Sequence, residues 1–262
     1  MTQTLYVEAI EAFEDNYIWS LRNKNSDSCV LIDPGDGDRA IQYLEKNNLK
    51  PDEIWNTHHH PDHTGANLRL KNQYNCRIRA SRKDASRIPG ADILYDDGDH
   101  FTHQGVMVQV IGTPGHTLGA ISFFIPDLAS LFCGDTLFLL GCGRMFEGHP
   151  EMFWASLKRL RELPANTLVY CAHEYTLSNS KFAKSLLPDD PDLDLYIGQI
   201  QDLRSRGEST VPGHLGQELL CNPFLLADQD RLKKALIHQG HDLSGYEPED
   251  IFGLIRSLKD QF

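Results

Sequence analysis

The stretch Thr57-His58-His59-His60-Pro61-Asp62-His63 decides how this chain is read. As a pattern it is H-x-H-x-D-H. Imidazole and carboxylate are the usual ligands of first-row metals, and one short loop rarely gives a single ion so many of them. The natural reading is two ions side by side, with further ligands drawn from elsewhere in the chain. His58 and His60 are two apart, so in an extended segment they point the same way. Asp62 and His63 follow the Pro61 break, at the start of a predicted helix. That places a second pair of donors on a turn beside the first. His59 is expected to point away from the metals.

Outward from this loop, short β-rich runs dominate the first two-thirds of the chain. They are Tyr17–Leu21, Cys29–Ile32, Glu53–Asn56, Arg77–Ala80, Val106–Ile111, Ala120–Phe124, Ser130–Cys133 and Leu168–Cys171. Several are near-continuous apolar stretches, as expected of strands covered on both faces. Three further donors sit where such a run stops: His116 in Thr113-Pro114-Gly115-His116-Thr117, Asp135 in Cys133-Gly134-Asp135-Thr136, and His173 in Cys171-Ala172-His173-Glu174. If those strand ends share one edge, the donors converge there. Asp33, before Pro34-Gly35, ends another strand and reads as a turn residue. His100, His103, His149, His214, His238 and His241 read as ordinary surface or core histidines.

Helical patterns interrupt the strands at Asp38–Asn47, Thr64–Asn75 and Pro150–Glu162, the last with Met152, Phe153, Ala155, Leu157 and Leu160 around its buried side. This mixture predicts an α/β (α+β) architecture with helices on the outer faces of two sheets. After Glu174 the character changes to helices at Asn179–Leu187, Leu193–Gly207, Asp230–Gln239 and Pro248–Phe262, with Ser209–Phe224 read as irregular. The final helix carries an apolar stripe of Ile251, Leu254, Ile255, Leu258 and Phe262. The expected division is a metal-binding domain over 1–174 and a smaller helical domain over 175–262.

At 262 residues the chain can bury a full core. Its formal charge of −12 argues against nucleic acid or an anionic membrane as partner, so an anionic ligand would need a local basic cluster. The six cysteines form no C-x-x-C pair, which fits reduced thiols and a cytoplasmic location. Met1 to Phe13 has no signal-peptide character, and no segment is apolar enough to span a bilayer. No G-x-S-x-G elbow occurs, and Cys142 reads as packing in a tight loop rather than as a nucleophile.

The H-x-H-x-D-H run followed by T-P-G-H-T, F-C-G-D-T and C-A-H-E-Y resembles the metallo-β-lactamase superfamily in order and spacing. Within it, the chain is similar to the glyoxalase II (hydroxyacylglutathione hydrolase) branch. The marks of that branch are Asp15-Asn16-Tyr17, the run LFLLGCGRMFEG from Leu137 to Gly148, and the ending Lys259-Asp260-Gln261-Phe262. The resemblance covers nearly the whole chain and implies an αββα metallo-β-lactamase-like sandwich with a helical C-terminal domain.

It further implies two divalent metal ions, zinc before iron or manganese. His58, His60 and His116 would hold one, Asp62, His63 and His173 the other, and Asp135 would bridge them. Hydroxide between the two cations would be the nucleophile; Asp62 would shuttle a proton as well as bind metal, and Asp135 would set the metal spacing and carry charge. Arg144, Tyr175, Arg256 and Lys259 would bind the glutathione moiety, Arg256 and Lys259 from one face of the last helix. Phe146 departs from relatives that carry a tyrosine there. The implied reaction is hydrolysis of S-(2-hydroxyacyl)glutathione, with S-D-lactoylglutathione as substrate, to glutathione and D-lactate, in methylglyoxal removal by a monomer. A glutathione persulfide dioxygenase or a lactonase of the same fold is the alternative.

Overall fold

A computed structural model describes residues 5–262. They form two compact units. The first runs up to Gly112 and takes in Leu118–Gly134; the second comprises Thr113–Thr117 and Asp135–Phe262.

The first unit contains β1 (Leu5–Ala12), β2 (Asn16–Asn23), β3 (Ser28–Ile32), α1 (Gly37–Asn47), β4 (Lys50–Trp55), α2 (Pro61–Thr64), α3 (Asn67–Tyr74), β5 (Arg77–Ser81), β6 (Ile93–Tyr95), β7 (His100–His103), β8 (Val106–Gly112), β9 (Ile121–Ile125) and β10 (Ser130–Gly134). Strands β1 to β6 make one sheet in chain order, antiparallel from β1 to β3 and parallel from β3 to β6. Strands β7 to β10 pair in succession as an antiparallel meander.

The period of two in a strand separates two apolar layers. Leu31, Ile54 and Ile78 are register partners, and they pack with Ala40, Ile41 and Leu44 of α1 and Leu70 of α3. Next to Ile54, Trp55 turns the other way. Its ring lies 5.1 Å from Phe101 on β7 and 5.3 Å from Phe123 on β9. Strand β4 is thus covered on both faces at its end, where Ile54 and Trp55 are apolar in succession. Asp36 caps α1 by accepting from the backbone of Asp38 and Arg39, and Asn48 ends it in the left-handed conformation.

The strands expected from the sequence are present. The helix expected over Thr64–Asn75 is not continuous: it is split into α2 and α3 at Gly65 and Ala66. A Cβ on Gly65 would lie 2.7 Å from the Gly35 carbonyl oxygen, and Ala66 donates its N–H to Pro34, so another loop interrupts the helix there.

The second unit contains β11 (Leu137–Phe138), β12 (Gly141–Cys142), α4 (Pro150–Arg161), β13 (Leu168–Cys171), α5 (Thr176–Leu186), α6 (Pro191–Ser205), β14 (Gly213–His214), α7 (Leu215–Cys221), α8 (Asp230–His238) and α9 (Pro248–Gln261). Helix α7 lies inside the stretch expected to be irregular; at two turns it is too short to show a helical period. On α4, Phe153, Leu157 and Leu160 are buried as expected, but Trp154 is buried as well and Ala155 is exposed. On α9, Phe252 enters the core against Phe153, ring centroids 5.5 Å apart, while Phe262 is exposed. Pro248 takes the first-turn position behind a capping box of Glu247 and Asp250.

Candidate metal and substrate site

In the first unit the H-x-H-x-D-H loop leaves the end of β4 and is pinned on all sides. Asn56 donates its carboxamide N–H to the His63 carbonyl (3.0 Å) and accepts from Asn67 (2.8 Å). Asp33, in the left-handed conformation at φ 52°, receives the Thr57 backbone N–H at 2.7 Å and the Thr57 hydroxyl at 2.6 Å. The same carboxylate lies 3.1 Å from His63 Nδ1. Asp33 therefore does more than end a turn: its oxygens orient a ligand-type histidine and the residue before the motif. Its own donor atom lies within 4.8 Å of those of His58 and His63. The sequence signal for this was the strand-end placement it shares with His116, Asp135 and His173.

The donors of this loop are spaced as ligands of an ion. His58 Nε2 and His60 Nδ1 lie 3.1 Å apart, and His63 Nε2 lies 3.3 Å from Asp62 Oδ2. Two ligands about 2.1 Å from one tetrahedral ion are about 3.4 Å from each other. Asn16 donates to Asp62 Oδ2 at 3.0 Å, fixing that carboxylate. His58 and His63 are buried. Between the donors, His59 pairs its Nδ1 with Asp84 at 3.0 Å, and Asp84 also receives Arg87.

In the second unit Asp135 divides its two oxygens. Oδ2 lies 3.4 Å from His116 Nε2, and Oδ1 lies 3.4 Å from His173 Nε2. The carboxylate thus offers one oxygen to each of two imidazoles. His116 Nδ1 lies 2.7 Å from the Arg144 carbonyl, which settles its orientation and leaves Nε2 toward Asp135. Gly143 is required where the chain passes Asp135, because a Cβ there would lie 1.9 Å from the Asp135 carbonyl oxygen. The His173 ring stacks on Tyr175 at 4.7 Å, and Phe138 meets both rings edge-on.

The candidate substrate residues also belong to the second unit. Arg144 Nε and Arg256 Nη2 each lie 3.2 Å from Asp260 Oδ1. Arg144 is largely exposed. Arg256 is 6% exposed and donates Nη1 to the Cys142 carbonyl at 2.8 Å, so it is not a solvated helix residue. Lys259 is half-buried with Nζ 5.2 Å over the Phe182 ring; burial and the neighbouring Arg256 lower its pKa. Phe146 is exposed and meets His116 edge-on at 5.3 Å. The Cys142 thiol is buried and pushed up to about 11 by that burial, which removes it as a nucleophile near neutral pH.

The family model of the metallo-beta-lactamase superfamily matches residues 16–173, and that of the hydroxyacylglutathione hydrolase C-terminus matches 174–262. The chain is 44% identical over 259 residues to the hydroxyacylglutathione hydrolase of Chromohalobacter salexigens, covering 98% of this chain and all of that one. It is 41% identical over 262 residues to the hydroxyacylglutathione hydrolase of Hyphomonas neptunium, with both chains covered in full. The chain belongs to the hydroxyacylglutathione hydrolase family. As a member of that family it has the metallo-β-lactamase fold with a helical C-terminal domain. A crystal structure of the BLEG-1 B3 metallo-beta-lactamase shares that fold at a TM-score of 0.64 and 24% identity, covering 84% of this chain and 99% of that one. The donor types and spacings in each unit suit a divalent metal, as this hydroxyacylglutathione hydrolase family member's superfamily membership requires. Among the described residues no helix is long and apolar enough to cross a membrane.

Proposed function

We propose that the chain hydrolyses S-(2-hydroxyacyl)glutathione, with S-D-lactoylglutathione as substrate, giving glutathione and D-lactate in methylglyoxal detoxification. The reading rests on family membership over the full chain, and the single structural observation that carries it is the divided carboxylate of Asp135. His58, His60 and His116 would hold one divalent ion, Asp62, His63 and His173 a second, with Asp135 shared between them and zinc preferred over iron or manganese. When bound, the metal lowers the pKa of water so that a nucleophile exists near neutral pH, and it offsets the charge that develops on the carbonyl oxygen.

The chain's own residues do the rest. Asp33, Thr57 and the Arg144 carbonyl hold the ligand imidazoles in their orientations. Asp62, partly exposed and steadied by Asn16, would take up the proton released from the water. Arg144, Tyr175, Arg256 and Lys259 bind the anionic tripeptide and orient the thioester carbonyl. The leaving thiolate has a pKa of about 8.5, so no dedicated acid is needed to expel it. We assign 1–174 to metal chemistry and 175–262 to glutathione binding, in a monomeric cytoplasmic enzyme without nucleic-acid or membrane partners.

The test is turnover of S-D-lactoylglutathione alongside metal quantification of the purified protein. About two metals per chain with turnover that depends on them is the expected result. His58→Ala and Asp135→Ala should abolish turnover. The double variant Arg256→Ala/Lys259→Ala should mainly raise KM, and an unchanged KM would remove the substrate-site assignment.

A further inference from the structure

Between Asp135 and Arg144 the chain makes the tight β11–β12 hairpin, Leu137 to Cys142. This segment touches His173, Tyr175 and Arg256 and joins Asp135 to Arg144. Asp135 lies two residues before it and Arg144 two residues after it. Phe138 meets the rings of His173 and Tyr175, and the Cys142 carbonyl receives Arg256. The hairpin turn places Leu140 at φ 55°, a left-handed conformation costly for a residue with a branched side chain. Something outside the hairpin must hold it.

That support is a buried carboxylate. Glu218 of α7 is 0% exposed. Its Oε2 receives the Leu140 backbone N–H at 2.6 Å and the Asn222 carboxamide at 2.9 Å; its Oε1 receives the Tyr196 hydroxyl of α6 at 2.9 Å. The same Asn222 nitrogen donates to the Phe138 and Gly141 carbonyls, both at 3.0 Å. All the donors to Glu218 are neutral, so the group does not serve an ion pair. It serves the geometry of the turn: two acceptor oxygens take three converging donors, and an apolar replacement would leave the Leu140 N–H buried without an acceptor.

We propose that Glu218, with Asn222 and Tyr196, is a positioning residue for catalysis: it sets the hairpin that spaces Asp135 from Arg144 and anchors Arg256. The inference rests on the proposed thioester hydrolysis. Small displacements of substrate-holding groups cost rate even when they lie far from the chemistry, so Glu218→Ala should lower kcat/KM about tenfold, mostly through KM. Glu218→Gln should restore it to within about twofold, because its carbonyl oxygen can serve Leu140 and Asn222 while its NH2 donates to the Tyr196 oxygen.

Both variants are to be assayed as metal-loaded full-length protein, with amide hydrogen exchange over 137–142 followed in parallel. Faster exchange in Glu218→Ala confined to that segment, with raised KM and rescue by Gln, is the expected result. Unchanged kinetics and exchange in a folded Glu218→Ala would overturn it, as would a Gln variant as impaired as Ala. If Glu218→Ala does not fold, Tyr196→Phe decides, since it removes one donor and leaves the carboxylate: a raised KM and faster exchange at 137–142 support the role, and neither refutes it. A wild-type protein without thioesterase activity would sink the proposed function alone, because hydrogen exchange still reads whether Glu218 braces the hairpin.

Discussion

The Asp33 carboxylate reaches across the first unit to His63, with Oδ2 3.1 Å from Nδ1, and thereby fixes which nitrogen of that imidazole is left for a ligand role. The same two oxygens receive both polar groups of Thr57, so one side chain aligns the start and the end of the ligand loop. Asp33→Asn keeps the size but presents an amide N–H to one of these partners. We expect metal affinity to fall by about 10- to 100-fold, as is usual when a group orienting a ligand is lost. Metal content after titration with a graded chelator checks this; retention equal to the parent would disprove it.

Gly35 offers a second test of the same loop. A Cβ at this position would lie 1.8 Å from the Asp62 carbonyl oxygen, a backbone atom that cannot swing aside. Gly35→Ala should therefore displace the Asp62 backbone, lower stability by roughly 2 kcal/mol or more, and reduce metal retention. Thermal melting with metal quantification reads both effects together.

How much of this could be read beforehand varies residue by residue. The H-x-H-x-D-H loop and the strand-end donors His116, Asp135 and His173 stood out because ligand-type side chains abruptly follow apolar runs. Asp33 stood at such a strand end too, but its meaning depends on Thr57, 24 residues away, and the adjacent Pro34-Gly35 supplies a sufficient local reason for an aspartate. The split between α2 and α3 was hidden for a similar cause, since it is imposed by the Gly35 loop. Helix α7 and the hairpin it braces are too short to carry a period, and Glu218 looks like any surface glutamate until folding buries it. Strands β6 and β7 escaped notice because they span only three and four residues, and β7 is polar at both ends.

Glu218 also gives a pH signature in stability. Burial raises its pKa from 4.5 to about 7, outweighing the bonds from Leu140, Tyr196 and Asn222 that favour the charged form. A group whose pKa is higher in the folded protein than in the unfolded chain contributes its stability at low pH. That contribution is complete below about 4.5 and is lost as pH rises through about 7. Glu218→Gln, which has no charge to bury, should gain on the parent as pH rises from 5 to 8, widening the melting-temperature gap by roughly 5–10 °C. A gap that stays constant across this range would contradict the assignment.

All six cysteines are buried, and burial raises the thiols of Cys29, Cys76, Cys142 and Cys221 well above the usual range. Iodoacetamide at pH 8 should leave the folded enzyme active and unmodified, whereas the unfolded chain should take up label at every thiol. Mass spectrometry of intact protein before and after unfolding distinguishes these outcomes, and rapid inactivation of the native enzyme would restore a catalytic role for Cys142.

The two guanidiniums that share Asp260 differ in freedom. Arg256 is sunk in the interior and tied to the Cys142 carbonyl, so altering it disturbs the turn beneath it. Arg144 stands in solvent beside Phe146, where replacement costs the interior nothing. On the proposed substrate assignment, drift in which acyl or peptide moieties are accepted would proceed through this outer pair, while the inner arginine stays constrained by folding itself. Lineages that diversify their thioesters should accumulate changes at 144 and 146 long before 256.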